Sequence, residues 1–187
     1  MQNNLVFETI GNVELLSQNK VAIFSSKDVS LEITSQATSL IKSISSLSIA
    51  IAGGWQAPLE KKVFSFYTKQ KSPINLIYYL AKNINLFKAS VLQKNLIQRD
   101  RLLVIAPQFK EKRPTHKNIS MRDELLFSQI NKILFLSISP GGRLENYLSK
   151  LSSKKYQLYI MEHPENEAYY AEDIVALNQN NMEMLLV

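Results

Sequence analysis

Two glycine pairs, Gly53-Gly54 and Gly141-Gly142, each follow a short apolar run and precede a segment with helical periodicity. A backbone without Cβ atoms can approach a ligand closely, and the amides that open a helix face an anion, so either pair is placed to hold a phosphate. Tight turns that need positive φ would use the same glycines with no ligand at all. Ser25-Ser26-Lys27-Asp28 follows another apolar run and adds hydroxyl and ammonium donors for the same anion, although serine and aspartate in such places also cap helices. Trp55, the only tryptophan, adjoins Gly54; exposed at a strand end it would stack on a base, and buried it would serve core or interface packing. Lys110, Lys112, Arg113, His116, Lys117 and Arg122 make the densest basic stretch, suited to neutralising phosphates or simply to a solvated loop. Arg122 stands out because it lies beside a predicted helix start, and Arg143 directly follows the second glycine pair. The expected phosphate- or nucleic-acid-binding set is Ser25, Ser26, Lys27, Gly53, Gly54, Trp55, Arg122, Gly141, Gly142 and Arg143.

Several other chemistries lack their residues. The chain has no cysteine, which excludes a thiol nucleophile, a disulfide framework and Cys-based zinc sites. Its two histidines, His116 and His163, are too few for most His-based metal centres, and neither has a triad context. No G-x-x-x-x-G-K-[ST] or G-x-G-x-x-G string occurs. No metal and no cofactor are expected. Glu145, three residues after Gly142, is a candidate acid or base with Arg122 as its partner; a first-turn acid favoured by the helix dipole would stand in the same place.

The elements that must position these residues are legible as periodicities. Lys20–Phe24, Ile49–Ala52, Ile74–Tyr79, Leu102–Ala106, Ile133–Ile138 and Gln157–Met161 are short apolar runs suited to buried strands. Between them, apolar spacings of three or four predict helices over Leu31–Leu47, capped by Asp28 or Ser30, and over Leu59–Lys69, which Pro58 opens. Shorter helices are predicted over Ala89–Gln98, Asp123–Ile130 and Arg143–Leu151, with a further one over Ala168–Leu177. Gln108–Ser120, polar, basic and holding Pro114, reads as a loop. The apolar end Met184-Leu185-Leu186-Val187 must pack on this chain or on a partner. Strand-then-helix repetition with near-continuous apolar strands implies a three-layer α/β, Rossmann-like fold, its mainly parallel sheet flanked by helices on both faces. Ligands of such sheets gather at the carboxyl ends of the strands, where the glycine turns fall.

At 187 residues the chain suits one domain, and 45% hydrophobic with 20% charged residues is an ordinary globular mixture. A net charge of +6 favours anionic partners or marks a slightly basic surface. No apolar run is long enough to span a membrane, and the polar start Met1-Gln2-Asn3-Asn4 lacks a signal-sequence pattern, so a cytoplasmic protein without membrane partners is expected.

In order along the chain, Val21-Ala22-Ile23-Phe24-Ser25-Ser26-Lys27, Ile49 to Trp55, Met121-Arg122-Asp123, Ile133 to Leu144 and Gln157 to Asn166 resemble the DprA/Smf family of DNA-processing proteins, within the Rossmann-like SLOG superfamily. The match covers roughly residues 20–166 of the single domain, leaving 167–187 as an extension, and rests on segment order more than on identical motifs. The family's G-S-R, S-G-x-A-x-G-I-D, R-N and S-G elements correspond here to Ser25-Ser26-Lys27, Ala52-Gly53-Gly54-Trp55, Arg122-Asp123 and Gly141-Gly142-Arg143. The resemblance implies a dimer, binding of single-stranded DNA or a nucleotide, and a RecA-type recombinase as partner in DNA processing and recombination. The first glycine is lost, arginine becomes Lys27 and the G-I-D portion is missing, so the chain would be a divergent member. Pro140-Gly141-Gly142-Arg143-Leu144-Glu145 also resembles the start of the P-G-G-x-G-T-x-x-E motif of LOG-type phosphoribohydrolases, without its Gly-Thr. That alternative implies base release from a nucleoside monophosphate by Arg122 and Glu145; a nucleotide-sensing regulatory protein is a further one.

Overall fold

The computed structural model describes residues 6–69, 74–109, 113–151 and 155–187. Met1-Gln2-Asn3-Asn4, Pro73, Lys110 and Lys112 lie outside them. The strands are β1 (Phe7–Gly11), β2 (Lys20–Ser25), β3 (Ala50–Gly53), β4 (Asn75–Tyr79), β5 (Leu102–Pro107), β6 (Lys132–Ser137), β7 (Gln157–Met161) and β8 (Ile174–Leu177). The helices are α1 (Leu31–Ile44), α2 (Pro58–Lys69), α3 (Val91–Gln98), α4 (His116–Gln129) and α5 (Arg143–Leu148). The eight described strands form one sheet in the order β1-β5-β4-β3-β2-β6-β7-β8, with β1 antiparallel to β5 and the other pairs parallel.

Both faces of the sheet are covered, which is why its central strands are apolar at every position. In β2, Val21 and Ile23 face the side covered by α1 and α2, with α3 farther along the same face over β5, while Ala22 and Phe24 face the side covered by α4 and α5. The chain runs from β2 through α1 to β3 on one side, and later returns through α4 to set β6 against the other side of β2. Connections therefore leave β2 and β6 in opposite directions, which opens a crevice at their carboxyl ends. The pairing register slips there, between Phe24 opposite Phe135 and Ser25 opposite Ser137.

The α/β, Rossmann-like fold class agrees with the sequence reading, with three local differences. The helix expected over Ala168–Leu177 is absent: Pro164–Tyr169 makes a 3-10 turn and Ile174–Leu177 is strand β8 beside β7. Its Ile-Val run finds a ladder and both core faces, which outweighs local helical spacing. The loop expected through Ser120 ends at Thr115, whose hydroxyl accepts the Asn118 amide at 3.1 Å and starts α4 seven residues earlier than Asp123. Strand β1 gave no sequence signal, being half-exposed at the sheet edge. At the far end Leu185 is fully buried in the core of its own chain, while Leu186 and Val187 are exposed. Among the described residues no helix is long and apolar enough to cross a membrane.

Candidate functional site

A cleft of about 540 Å³ opens at the crevice between β2 and β6. Its walls are Ser25 to Asp28 after β2, Gln56 and Ala57 before α2, His116 and Ile119 on the first turns of α4, and Ser139 with Gly142 to Leu144 around the start of α5. That volume suits a nucleotide-sized group. The β2 and β6 ends are clasped together: Ser26 N–H donates to Ser137 O at 3.0 Å, and Ser139 N–H to Ser26 Oγ at 2.7 Å. Fully buried Asn166 fixes the next strand end by donating to Leu136 O at 3.1 Å and Met161 O at 2.8 Å. Exposed Lys27, exposed His116 and half-exposed Arg143 bring positive or protonatable groups to the rim from three different elements.

The structure separates the expected site residues into two groups. Ser25, Ser26, Lys27, Gly142 and Arg143 meet on the cleft. Arg122 is 1% exposed and lies behind it. Its Nε donates to Asp123 Oδ1 at 2.6 Å, and its Nη1 has no hydrogen-bond partner among the described residues. A Cβ on Gly54 would lie 1.9 Å from that Nη1, so Gly54 is glycine to admit the guanidinium rather than to reach positive φ. Gly141 is the member of the two pairs that takes positive φ, at +69°.

Asp123 is the hub that joins Arg122 to the cleft. Its Oδ2 accepts from Arg143 Nη1 at 2.8 Å and from the Tyr147 hydroxyl at 2.7 Å. Arg143 in turn lies over the Tyr147 ring, 5.5 Å from its centroid. Burial, and after it the Asp123 carboxylate, pushes the Tyr147 phenol above its ordinary value, keeping it a hydrogen-bond donor. In the sequence Asp123 shows as a helix start and as the second member of the Arg122-Asp123 pair, with nothing to mark its reach to Arg143, and Tyr147 carries no signal. A charged residue directly beside an arginine on the sheet-facing side of a helix was the available signal.

Trp55 corrects the expectation of an exposed stacking residue. It is 3% exposed, its indole N–H donates to Ile77 O at 3.3 Å, and its ring meets Phe64 at 5.2 Å. Those contacts hold it in left-handed backbone geometry, φ 53°, and leave no face for a base. The basic stretch also disperses: Arg113 and Lys117 are exposed away from the cleft walls, and only His116 of that run lines the cleft among the described residues.

Two internal carboxylates occupy strand-end amides. Glu60 Oε1 accepts from Ser25 N–H at 3.1 Å, and Oε2 from Gln56 N–H at 2.8 Å and Ala57 N–H at 3.3 Å. Burial pushes this carboxyl up; the amides and the Arg122 guanidinium pull it down and offset part of the shift. Its place as the third residue of α2, reaching back to the amide before Pro58, is half of a capping box and was readable as such. Glu145 Oε2 accepts from Gly141 N–H at 2.7 Å, and Oε1 from the Tyr169 hydroxyl at 3.2 Å. Neither Arg122 nor Glu145 lines the cleft, so the acid-base pairing expected of a phosphoribohydrolase is not assembled on it.

Among the described residues, the carboxylates of Glu32 and Glu165 approach His163, with ligand atoms within 4.8 Å of one another. The Glu165 amide donates to His163 Nδ1 at 3.2 Å. A neutral imidazole so held carries its proton on Nε2 and offers a cation a hydrogen rather than a lone pair. The donor set does not fit a metal.

No family model and no curated protein matches the sequence. Solved structures do. DNA processing protein A (DprA) of Streptococcus pneumoniae superposes with a TM-score of 0.75 at 11% identity, over 95% of this chain and 65% of that one. DprA of Helicobacter pylori superposes with a TM-score of 0.76 at 14% identity, over 100% of this chain and 89% of that one. The chain has a DprA-like fold. It spans about 65% of the length of the Streptococcus DprA. The Helicobacter DprA is described as having a unique single-stranded DNA binding mode. A molybdenum cofactor carrier protein of Chlamydomonas reinhardtii superposes less well, with a TM-score of 0.58 at 14% identity over 89% of this chain and 98% of that one.

Proposed function

We propose that the protein binds single-stranded DNA across the cleft between β2 and β6, with Lys27 and Arg143 contacting backbone phosphates, and acts in DNA processing. The observation that carries the reading is the convergence of these two cations, one after β2 and one on α5, on the crevice where open α/β sheets take ligands. His116 adds a third polar contact from α4. Support also comes from the shared fold with a DprA that binds single-stranded DNA. Phosphate contacts of this kind hold a strand without reading its sequence. Arg122 supports the cleft from behind, through Asp123, rather than touching phosphate. A cytoplasmic location, a homodimer and a RecA-type recombinase partner belong to the same proposal and rest on the sequence resemblance.

Fluorescence anisotropy of a labelled oligothymidylate over a series of salt concentrations tests the proposal. Affinity should fall with salt, with a log–log slope of about −0.7 for each phosphate neutralised. Lys27→Ala should make the slope shallower by about 0.7. No binding at the lowest ionic strength refutes it.

A further inference from the structure

We infer that Arg143 grips one backbone phosphate through the Nε–Nη2 edge of its guanidinium, and that Asp123 and Tyr147 are positioning residues that hold this edge ready. The inference rests on the cleft being the DNA site. Asp123 is a fixed anchor: it is buried on α4, its Oδ1 is taken by Arg122 Nε at 2.6 Å, and its Oδ2 accepts from both Arg143 Nη1 at 2.8 Å and the Tyr147 hydroxyl at 2.7 Å. A carboxylate held at both oxygens by charged and hydroxyl donors does not turn to follow a moving partner. Arg143 is therefore tied at one nitrogen. Tyr147, one turn later on α5, supports the face of the same guanidinium, 5.5 Å from Cζ to the ring centroid.

The rest of the group is free. Nε and Nη2 of Arg143 have no acceptor among the described residues, and the side chain is 42% exposed on the cleft wall. On a planar guanidinium, Nε–H and one Nη2 hydrogen run parallel along a single edge, which matches the two non-bridging oxygens of a phosphodiester. Pairing of Nη1 with Asp123 leaves that edge whole. Charge agrees with the geometry: Arg122, Asp123 and Arg143 together carry one net positive charge, which one phosphodiester neutralises. Lys27, on another wall of the cleft, is exposed and has no side-chain partner among the described residues, so it meets a phosphate as a mobile point charge. The two cations thus act differently, one by charge and one by a fork held in place before the strand arrives.

The anisotropy titration with labelled oligothymidylate separates a fork from a charge. Arg143→Lys keeps the charge and loses the edge, so it should bind about tenfold more weakly than the parent, whereas Lys27→Arg should stay within about twofold. An Arg143→Lys protein within about twofold of the parent overturns the inference. The positioning role is read from a double-mutant cycle. Tyr147→Leu should weaken binding about threefold or more in the parent and change nothing further in an Arg143→Ala background, each variant being checked for folding by circular dichroism. An equal loss in both backgrounds marks a merely structural tyrosine, and tighter binding marks an arginine withheld from DNA; either overturns the assignment. Tyr147→Phe, which drops only the hydroxyl tie to Asp123, runs through the same cycle with the same expectation if Tyr147→Leu does not fold. A parent protein that does not bind the strand refutes the DNA site itself, whereas a parent that binds no better than Arg143→Lys refutes only the fork.

Discussion

Replacing Gly54 by alanine puts a methyl group 1.9 Å from Arg122 Nη1, 2.4 Å from Cζ and 3.0 Å from Nη2. On an exposed arginine such a clash is relieved by a side-chain swing. Here the guanidinium is 1% exposed and its Nε is held 2.6 Å from Asp123, so it can move only by giving up that buried pair. Breaking a buried ion pair by moving one partner costs about 3–5 kcal/mol, and overpacking without a break about 1–3 kcal/mol. Partial relaxation of both kinds puts Gly54→Ala at about 3 kcal/mol of destabilisation, a fall in Tm of about 6–12 °C for a chain of this size. Gly53→Ala is the control: its methyl group meets Trp55 Cε2 at 3.2 Å and Ile23 O at 3.3 Å, contacts that small shifts relieve, for a cost of about 1 kcal/mol. Urea unfolding followed by circular dichroism measures both variants. A cycle with Arg122→Ala should show coupling above about 1 kcal/mol, because the clash disappears with the guanidinium. A Gly54→Ala protein as stable as the parent, or one whose loss simply adds to that of Arg122→Ala, refutes the packing of Arg122 against this turn.

Tyr147→Phe removes a donor from buried Asp123 while keeping the ring under Arg143, and should cost about 1.5 kcal/mol in the same unfolding assay. Glu60 sets a pH dependence: a carboxyl raised by burial above its ordinary value of 4.5 stabilises the fold fully below that pH and loses the contribution as pH rises through the folded value. The stability of the parent relative to Glu60→Gln should therefore shrink as pH rises from about 4.5; an advantage that grows with pH would show that the amide hydrogen bonds outweigh burial. Trp55 fluorescence should be poorly quenched by acrylamide and unchanged by added oligothymidylate, since the indole is buried between Ile77 O and Phe64. Strong quenching, or a shift on adding DNA, contradicts that placement.

Strands that are buried on both faces were readable because continuous apolar runs such as Ile133–Leu136 have no other stable place in a chain of this kind. Strand β8 was not, because Ile174–Leu177 follows a short helical spacing and its identity as a strand depends on the partner β7 offers. Edge strand β1, with half its side chains in solvent, left no alternation to detect. At the site, the turn after β2 and the Gly142-Arg143 turn could be placed from sequence because both follow buried strands. Exposure could not: Trp55 and Arg122 stand beside the right turns yet point into the protein, and a side chain's direction at a strand end is set by its tertiary neighbours. The internal carboxylates had a partial local signal in Glu60, whereas the reach of Asp123 to Arg143 and Tyr147, twenty or more residues away in sequence, is a product of packing.

The most direct measurement is a crystal structure of the protein with a short oligothymidylate. Phosphates seated against Lys27 and Arg143 in the cleft between β2 and β6, with Glu60 still holding the amides of Ser25, Gln56 and Ala57, are the predicted result. DNA bound on another surface with this cleft empty, or a phosphate in place of the Glu60 carboxylate, would contradict the account.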